Sequence, residues 1–388
     1  MVESGLQMWD AVRQEVFSTS RTVIVKIGSN VLTREDDQLD GERIQALASQ
    51  IDQIRQTGRQ VIIVSSGAVA AGIGVLGMEG RPGSLPELQA AAAAGQPQLM
   101  TAWAEHLKPA GHSVAQILLT IDDFRSRQRY LNVQNTVRTL LASGAIPIIN
   151  ENDSVSIQEI ALGDNDQLAA MLATLVPHPL LVILSSVDGL YQYSSDDSTA
   201  VRISVIPEPD EQLLDHVTAD RSSRGRGGMA SKLKAILNAT GMGESVILAN
   251  GCQAGVLDSI CRGDDVGTLF LSTGGVVPAW KKWIGFASGS EGAVRIDAGA
   301  CSAVIRKGRS LLAVGIRAVR GTFLQGATVD ITTESGTTIG RGLVNYSSEE
   351  ITLILGKKSD QIEAVLNHVP YREVIHRDNM VVTETANR

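Results

Sequence analysis

Aromatic side chains make up only 4% of the 388 residues, which leaves little material for the stacking platforms that hold single-stranded nucleic acid. Cysteine is scarcer still. Cys252, Cys261 and Cys301 are odd in number and show no Cys-x-x-Cys spacing, so neither a disulfide framework nor a structural zinc site is supported. The three read as small buried apolar residues. No stretch of about 18 or more apolar residues occurs, so no helix is expected to span a membrane. Residues 1–20 include Glu3, Asp10 and Glu15 and lack the apolar run of a secretory signal; a reducing cytoplasm is the expected setting. The H-E-x-x-H, G-x-S-x-G and P-loop signatures are also missing, which removes zinc proteases, α/β-hydrolases and Walker ATPases from the leading candidates.

The net charge is −8, unevenly placed. Residues 292–388 hold 12 basic and 10 acidic side chains, against 22 and 32 in the rest. An acidic body with a mildly basic tail suggests two parts, and the length points the same way. The tail falls far short of the basic footprint of an obligate nucleic-acid binder.

Wholly apolar runs alternate with helical periodicity along the body. Strands are expected at Thr22–Ile27, Val61–Val64, Ala115–Leu119, Ile146–Ile149, Leu180–Leu184 and Ser245–Leu248. Helices are expected at Asp40–Thr57, within Leu85–Leu107, and at Asp123–Ser143, Asp166–Leu175 and Met229–Thr240. Strands apolar on both faces and separated by helices indicate an α/β fold, a mainly parallel sheet sandwiched by helices. The rhythm breaks at Ser272-Thr273-Gly274-Gly275. From Gly292, short strand-like runs at Ala293–Ile296, Thr328–Ile331 and Gly342–Val344 join helical segments around Ala300–Arg306 and Ser347–Ile354. The expected division is an extension (1–20), an α/β domain (21–275), a linker (276–291), a small α+β or barrel domain (292–378) and a tail (379–388).

Ligands of an open parallel sheet gather beyond the carboxyl ends of its strands. Lys26 sits inside the first apolar strand, ahead of Gly28, where a buried ammonium needs an anionic partner; the blander alternative is a lysine that snorkels to water. Ser65-Ser66-Gly67-Ala68 opens a helix whose N–H groups suit a carboxylate or phosphate, or serves only as a tight turn. Asn150-Glu151-Asn152-Asp153 and Gly163-Asp164-Asn165-Asp166-Gln167 supply carboxylates and amides able to fix an ammonium, bind a metal or orient lysines, although one aspartate could simply cap a helix. Ser185-Ser186-Val187-Asp188-Gly189 suits the edge of a nucleotide. Gly225-Arg226-Gly227-Gly228-Met229-Ala230-Ser231-Lys232 joins glycines, a helix start and a lysine into a phosphate cradle, the alternative being a solvated linker. Gly72-Ile73-Gly74-Val75-Leu76-Gly77 matches G-x-G-x-x-G, but it follows no strand directly and is set aside as a dinucleotide site.

These segments, in this order, resemble the amino acid kinase family, and within it the members that phosphorylate glutamate. The resemblance covers about residues 20–275; the tail from Gly292 resembles the PUA domain, a small β-barrel. It implies transfer of the γ-phosphoryl group of ATP, with Mg2+, to the side-chain carboxylate of L-glutamate, the first step of proline biosynthesis. By motif match, Lys26 and Lys232 contact the transferring group and Asp166 holds both. Ser66, Gly67, Asp153, Asp164 and Asn165 meet glutamate. Lys26, Ser185, Ser186, Arg226, Gly227, Gly228, Met229, Ala230, Ser231 and Lys232 border the nucleotide, while metal ligands stay unassigned. An aspartate is usual in the family where Ser186 stands and a threonine where Arg226 stands. The resemblance further implies feedback inhibition by proline and a dimer or tetramer. Two alternatives remain open: a family member with another acceptor (aspartate, acetylglutamate, carbamate or a nucleoside monophosphate), or an RNA-binding protein acting through the C-terminal domain.

Overall fold

The central strand β1 (Thr22–Ile27) is buried along its whole length, as an uninterrupted apolar run with a single lysine requires. The computed structural model describes residues 2–34, 36–155, 165–193, 200–214, 228–272, 284, 289–367 and 371–382, with side chains from residue 9 onward except at Tyr193. The chain divides into two units, Met1–Asp123 with Leu131–Gly275, and Val276–Arg388 with Phe124–Tyr130.

In the first unit, α1 (Val2–Thr19) precedes β1, and α2 (Ser29–Leu32) and α3 (Gly41–Gln56) lead to β2 (Gln60–Ser65). Asp40 caps α3 by accepting from the Arg43 N–H, the role its position suggested. α4 (Ala68–Leu76) and α5 (Leu85–Leu107) are followed by β3 (Val114–Leu119), α6 (Ile121–Arg125), α7 (Arg127–Ala142) and β4 (Ile146–Glu151), with Phe124–Tyr130 of α6 and α7 counted in the second unit. Next come α8 (Asn165–Ala173), β5 (Pro179–Ser185), the hairpin β6 (Tyr191–Tyr193) and β7 (Ala200–Arg202), and β8 (Val205–Ile206). α9 (Met229–Gly241), β9 (Ser245–Asn250), α10 (Val256–Arg262) and β10 (Thr268–Phe270) complete it.

Eight strands form one sheet in the order β3-β4-β2-β1-β5-β9-β10-β8. Only the β9–β10 pairing is antiparallel. β1 lies between β2 and β5, with Lys26 level with Val64 on one side and Ile183 on the other. Strand order reverses direction about β1, which makes its carboxyl end the switch point where a crevice opens.

Helices α4 and α5 pack backbone to backbone. A Cβ on Gly72 would lie 1.7 Å from the Ala91 carbonyl oxygen, and one on Gly95 would lie 2.0 Å from that of Ala68. The G-x-G-x-x-G match begins at this contact and runs along α4, so its first glycine serves helix packing.

The N-terminal extension is a packed helix: Trp9, Val12, Val16 and Phe17 join the core of the first unit. Arg13 of α1 donates to the carbonyls of Ser204, Val266 and Gly267 and pairs with Asp265 at 3.1 Å. The helix expected over Asp123–Ser143 is two helices, α6 and α7. The Thr120 N–H donates to Asp123 Oδ2, which starts α6 early, and the Ser126 carbonyl accepts from the Tyr130 N–H, which starts a second helix. Cys252 is exposed and Cys261 and Cys301 are half-buried, correcting their reading as buried residues.

The second unit contains β11 (Gly292–Ile296), α12 (Ala298–Lys307), β12 (Ile316–Arg320), β13 (Thr328–Thr332), β14 (Thr338–Leu343), α13 (Ser348–Ile354), α14 (Ile362–Leu366) and β15 (Met380–Val382). Its sheet has the order β12-β11-β13-β14-β15. Val294, Ile296, Val329, Ile331, Ile339 and Tyr346 form part of a core of its own. Asp297 caps α12, and Ser347 with Glu350 makes a capping box at α13. β15 pairs with β14, so residues 380–382, expected in the tail, belong to this sheet.

Two outcomes follow. Gly95→Ala forces α4 and α5 apart and should cost about 3 kcal/mol, read as a lower urea midpoint. Burial, reinforced by the nearby Asp258, pushes the Cys261 thiol up to about 12. Because the thiolate is the nucleophile, iodoacetamide at pH 8 should label Cys252 well before Cys261 in peptide mapping.

Candidate active site

The carboxyl end of β1 carries a buried charge cluster. Lys26 Nζ lies 2.6 Å from Asp166 Oδ1, and Lys232 Nζ lies 2.9 Å from Asp166 Oδ2. The aspartate is fully buried, and the lysine side chains are 4% and 13% exposed. Three distant segments meet here: Lys26 from β1, Asp166 from the first turn of α8 and Lys232 from the first turns of α9. The position of Asp166 at a helix N-terminus also favours its negative charge. Burial pushes its carboxyl up, but the charges and hydrogen bonds of Lys26 and Lys232 outweigh this and hold it below the usual carboxylate range. Two ammonium groups on one carboxylate leave a net charge of +1 in a desolvated place. Such a site attracts an anion strongly and can stabilise charge that develops on a transferring phosphoryl group. A Cβ on Gly28 would lie 3.7 Å from Lys26 Nζ and 3.4 Å from the Leu184 carbonyl oxygen, in ordinary contact with both, which places Gly28 directly beside the lysine.

Beside the cluster runs a chain of amides. Asn165 Nδ2 donates to Ser66 Oγ and to Asn150 Oδ1, both at 3.0 Å. Asn150 Nδ2 in turn donates to Gln96 Oε1 at 2.9 Å. Each contact orients the next amide, so the ends of β2 and β4 and the start of α8 are tied together. Ser66 is further set by α5: buried Trp103 donates from Nε1 to Ser65 Oγ, which donates to the Ser66 carbonyl. Gly67 has φ of 108°, a left-handed conformation that glycine adopts without strain. It opens α4, which has no side-chain cap, so its first N–H groups can serve an anion.

Past β4 lies a cleft of about 200 Å³ lined by Gln96, Gln116, Glu151, Asn152, Asp153 and Ser154 among others. Its volume suits a small amino acid. A hollow of about 240 Å³ lined by Gln60, Arg138 and Pro177 lies by the amino ends of β2 and β5, away from these groups.

The nucleotide-side residues are more dispersed. Ser185 ends β5, Ser186 follows it exposed, and Gly228 leads into α9 without a side-chain cap. Asn250, at the end of β9, donates to Asp188 at 2.6 Å and accepts from the Cys252 N–H, bracing the loops after β5 and β9. Asp164, Arg226 and Gly227 lie outside the described residues. Among the described residues no group of three or more His, Cys, Asp or Glu could hold a metal. Both oxygens of Asp166 already face lysines, so these residues do not form a Mg2+ cage.

The structure thus joins Lys26, Asp166 and Lys232 in one cluster and Ser66 and Asn165 in the neighbouring amide chain, with Asp153 on the cleft wall. Gln96, Trp103 and the Asn250–Asp188 brace escaped sequence reasoning. A signal existed for the first two: Gln96 and Trp103 share a helical face with Leu88, Ala92 and Leu99, where a buried polar group calls for a partner.

An open, mainly parallel sheet with a net-positive lysine cluster at its switch point, and a cleft of amino-acid size past β4, makes an anion-binding α/β protein of the kind that supports phosphoryl transfer. The amino acid kinase family model matches residues 21–250, and that of the PUA domain matches residues 292–366. The chain is 42% identical to the glutamate 5-kinase of Rhodopirellula baltica over 96% of both proteins. It is 44% identical to that of Geobacter sulfurreducens, over 96% of this chain and 100% of the relative. With the glutamate 5-kinase of Thermus thermophilus it shares 43% identity over 95% and 99%. The chain belongs to the amino acid kinase family and carries a C-terminal PUA domain.

The depressed Asp166 carboxyl sets a sign. Its stabilising contribution is complete above the unfolded aspartate value of about 3.9 and is lost as pH falls through the lower native value. Asp166→Asn leaves two buried lysines without their counter-ion and should cost about 3–5 kcal/mol at pH 7. Urea unfolding of both proteins should show that gap constant from pH 7 to pH 5 and narrowing only below about pH 4.

Proposed function

We propose that this protein transfers the γ-phosphoryl group of ATP to the side-chain carboxylate of L-glutamate, giving glutamyl 5-phosphate and ADP. The observation that carries the reading is the Lys26–Asp166–Lys232 cluster set beside the Ser66–Asn165 contact. A carboxylate oxygen attacks the γ-phosphorus, the bond to the bridging oxygen breaks, and its electron pair leaves with ADP. The acceptor is already ionised at neutral pH, so no proton has to be removed. The barrier is the approach of two anions, lowered by positioning and by cationic stabilisation.

Lys26 and Lys232 neutralise charge on the transferring group, and Asp166 keeps both ammonium groups in place. Ser66 and Gly67, with the start of α4, meet the reacting end of glutamate. Asp153, Asp164 and Asn165 serve its ammonium and α-carboxylate. Ser185, Ser186 and the segment Arg226–Lys232 border the nucleotide. Mg2+ would be held by the phosphate oxygens of ATP, since hard cations of this size keep substrate phosphates and water as ligands. Among the described residues no arginine lines the cleft, which favours an amino acid over a nucleoside monophosphate.

The activity stands at the first step of proline biosynthesis, and feedback inhibition by proline and a homo-oligomeric state belong to the same reading. No helix among the described residues is long and apolar enough to cross a membrane; a cytoplasmic setting is proposed. The near-neutral charge of the PUA domain favours a part in regulation or assembly over tight RNA binding.

With glutamate and MgATP, ADP release should be robust, and Lys232→Ala should lower kcat roughly 10²- to 10³-fold. Turnover of uridylate in place of glutamate would overturn the reading, and full activity in Lys232→Ala would remove the cluster from the chemistry. A filter-binding titration of the whole chain with RNA at physiological salt should give no tight, salt-sensitive affinity.

A further inference from the structure

Gln96 is the end of the amide chain, and its side-chain donor is unspent among the described residues. It is 7% exposed, and its Oε1 is occupied by Asn150 Nδ2 at 2.9 Å. That contact fixes which way the amide faces. Nε2 is buried and has no hydrogen-bond partner among the described residues. Buried donors are almost always paired, so an unpaired one on a cleft wall marks a place for a ligand acceptor. The same wall carries a second break in pairing. Pro97 lies inside α5 and has no N–H, so the carbonyl of Ala93, four residues back, loses its usual helical donor. Ala93, Gln96 and Pro97 all line the cleft, together with Glu151, Asn152 and Asp153.

We propose that Gln96 Nε2 binds the α-carboxylate of the amino acid acceptor and so selects for an acceptor that carries one. An amide N–H donates and cannot pair with an ammonium, so it must face the carboxylate end of the ligand head group. The acidic wall at Asp153 faces the ammonium end. Asn150 sets the Gln96 amide, and Gly95, by letting α5 touch α4, brings the residue to the end of β4. This inference rests on the glutamate reading above.

The test uses two acceptors, L-glutamate and 4-aminobutanoate, which keeps the reacting carboxylate and the amine but lacks the α-carboxylate. Two variants are compared: Gln96→Glu, which retains the acceptor for Asn150, and Gln96→Met, which adds no charge. In both, the ratio of kcat/KM for glutamate to that for 4-aminobutanoate should fall roughly 10- to 100-fold, with KM for ATP unchanged. A purely structural role for Gln96 would lower both acceptors together and leave the ratio fixed; that result overturns the inference, as would an unaltered KM for glutamate. Wild-type protein inert toward glutamate would instead sink the glutamate reading, and this inference with it.

Discussion

The structure turns on one carboxylate. Asp166 holds two lysines that come from a strand and a helix far apart in the chain, and each member of the trio would be prohibitively costly to bury alone. Buried ion clusters are poor stability devices, because desolvation consumes most of what their attraction returns. What this one provides is a fixed surplus of positive charge at the switch point of the sheet. The surplus exists because Asp166 stays ionised, and it stays ionised because both lysines are charged. The three groups act as one unit, and any anion that enters completes it.

Around that unit the first domain serves as a positioning frame. α5 does more than cover the sheet. Two glycines, Gly72 and Gly95, bring its backbone against α4, and from there Trp103 braces the Ser65-Ser66 turn while Gln96 engages Asn150. One helix thus supports the β2 loop and the β4 loop together, so small errors in its docking would be felt at both. Across the sheet, the pairing of Asn250 with Asp188 does similar work for the loops after β5 and β9. Arg13 anchors α1 to the short strands at that edge, giving the extension a structural role.

Much of this was legible in the residues. A lysine in a buried apolar strand, two dense clusters of amides and carboxylates, and a glycine-opened helix with a lysine one turn in are chemically conspicuous because they break the local rule of burial. The fold class followed from strands apolar on both faces. Short elements were less visible: β12 carries Arg317 and Arg320 at a spacing of three that breaks strand alternation, and the three-residue strands β6, β7, β10 and β15 are too brief to show a period. The split of α6 from α7 depended on Thr120 and Ser126 contacts that no periodicity reports.

The amino-acid sequence by itself determined which chemical groups are present, on which elements they sit and that they lie at strand ends, because burial pattern and turn chemistry are local properties. Pairing was decided only in three dimensions. That both oxygens of one aspartate face two lysines, that Asn165 joins Ser66 to Asn150, and that Gln96 ends the chain with a donor free among the described residues all depend on segments far apart in the chain, Asn165 and Ser66 by 99 residues and Lys26 and Asp166 by more. Such contacts are set by the order of strands in the sheet and by how closely two helices can approach, and no local stretch of sequence encodes either.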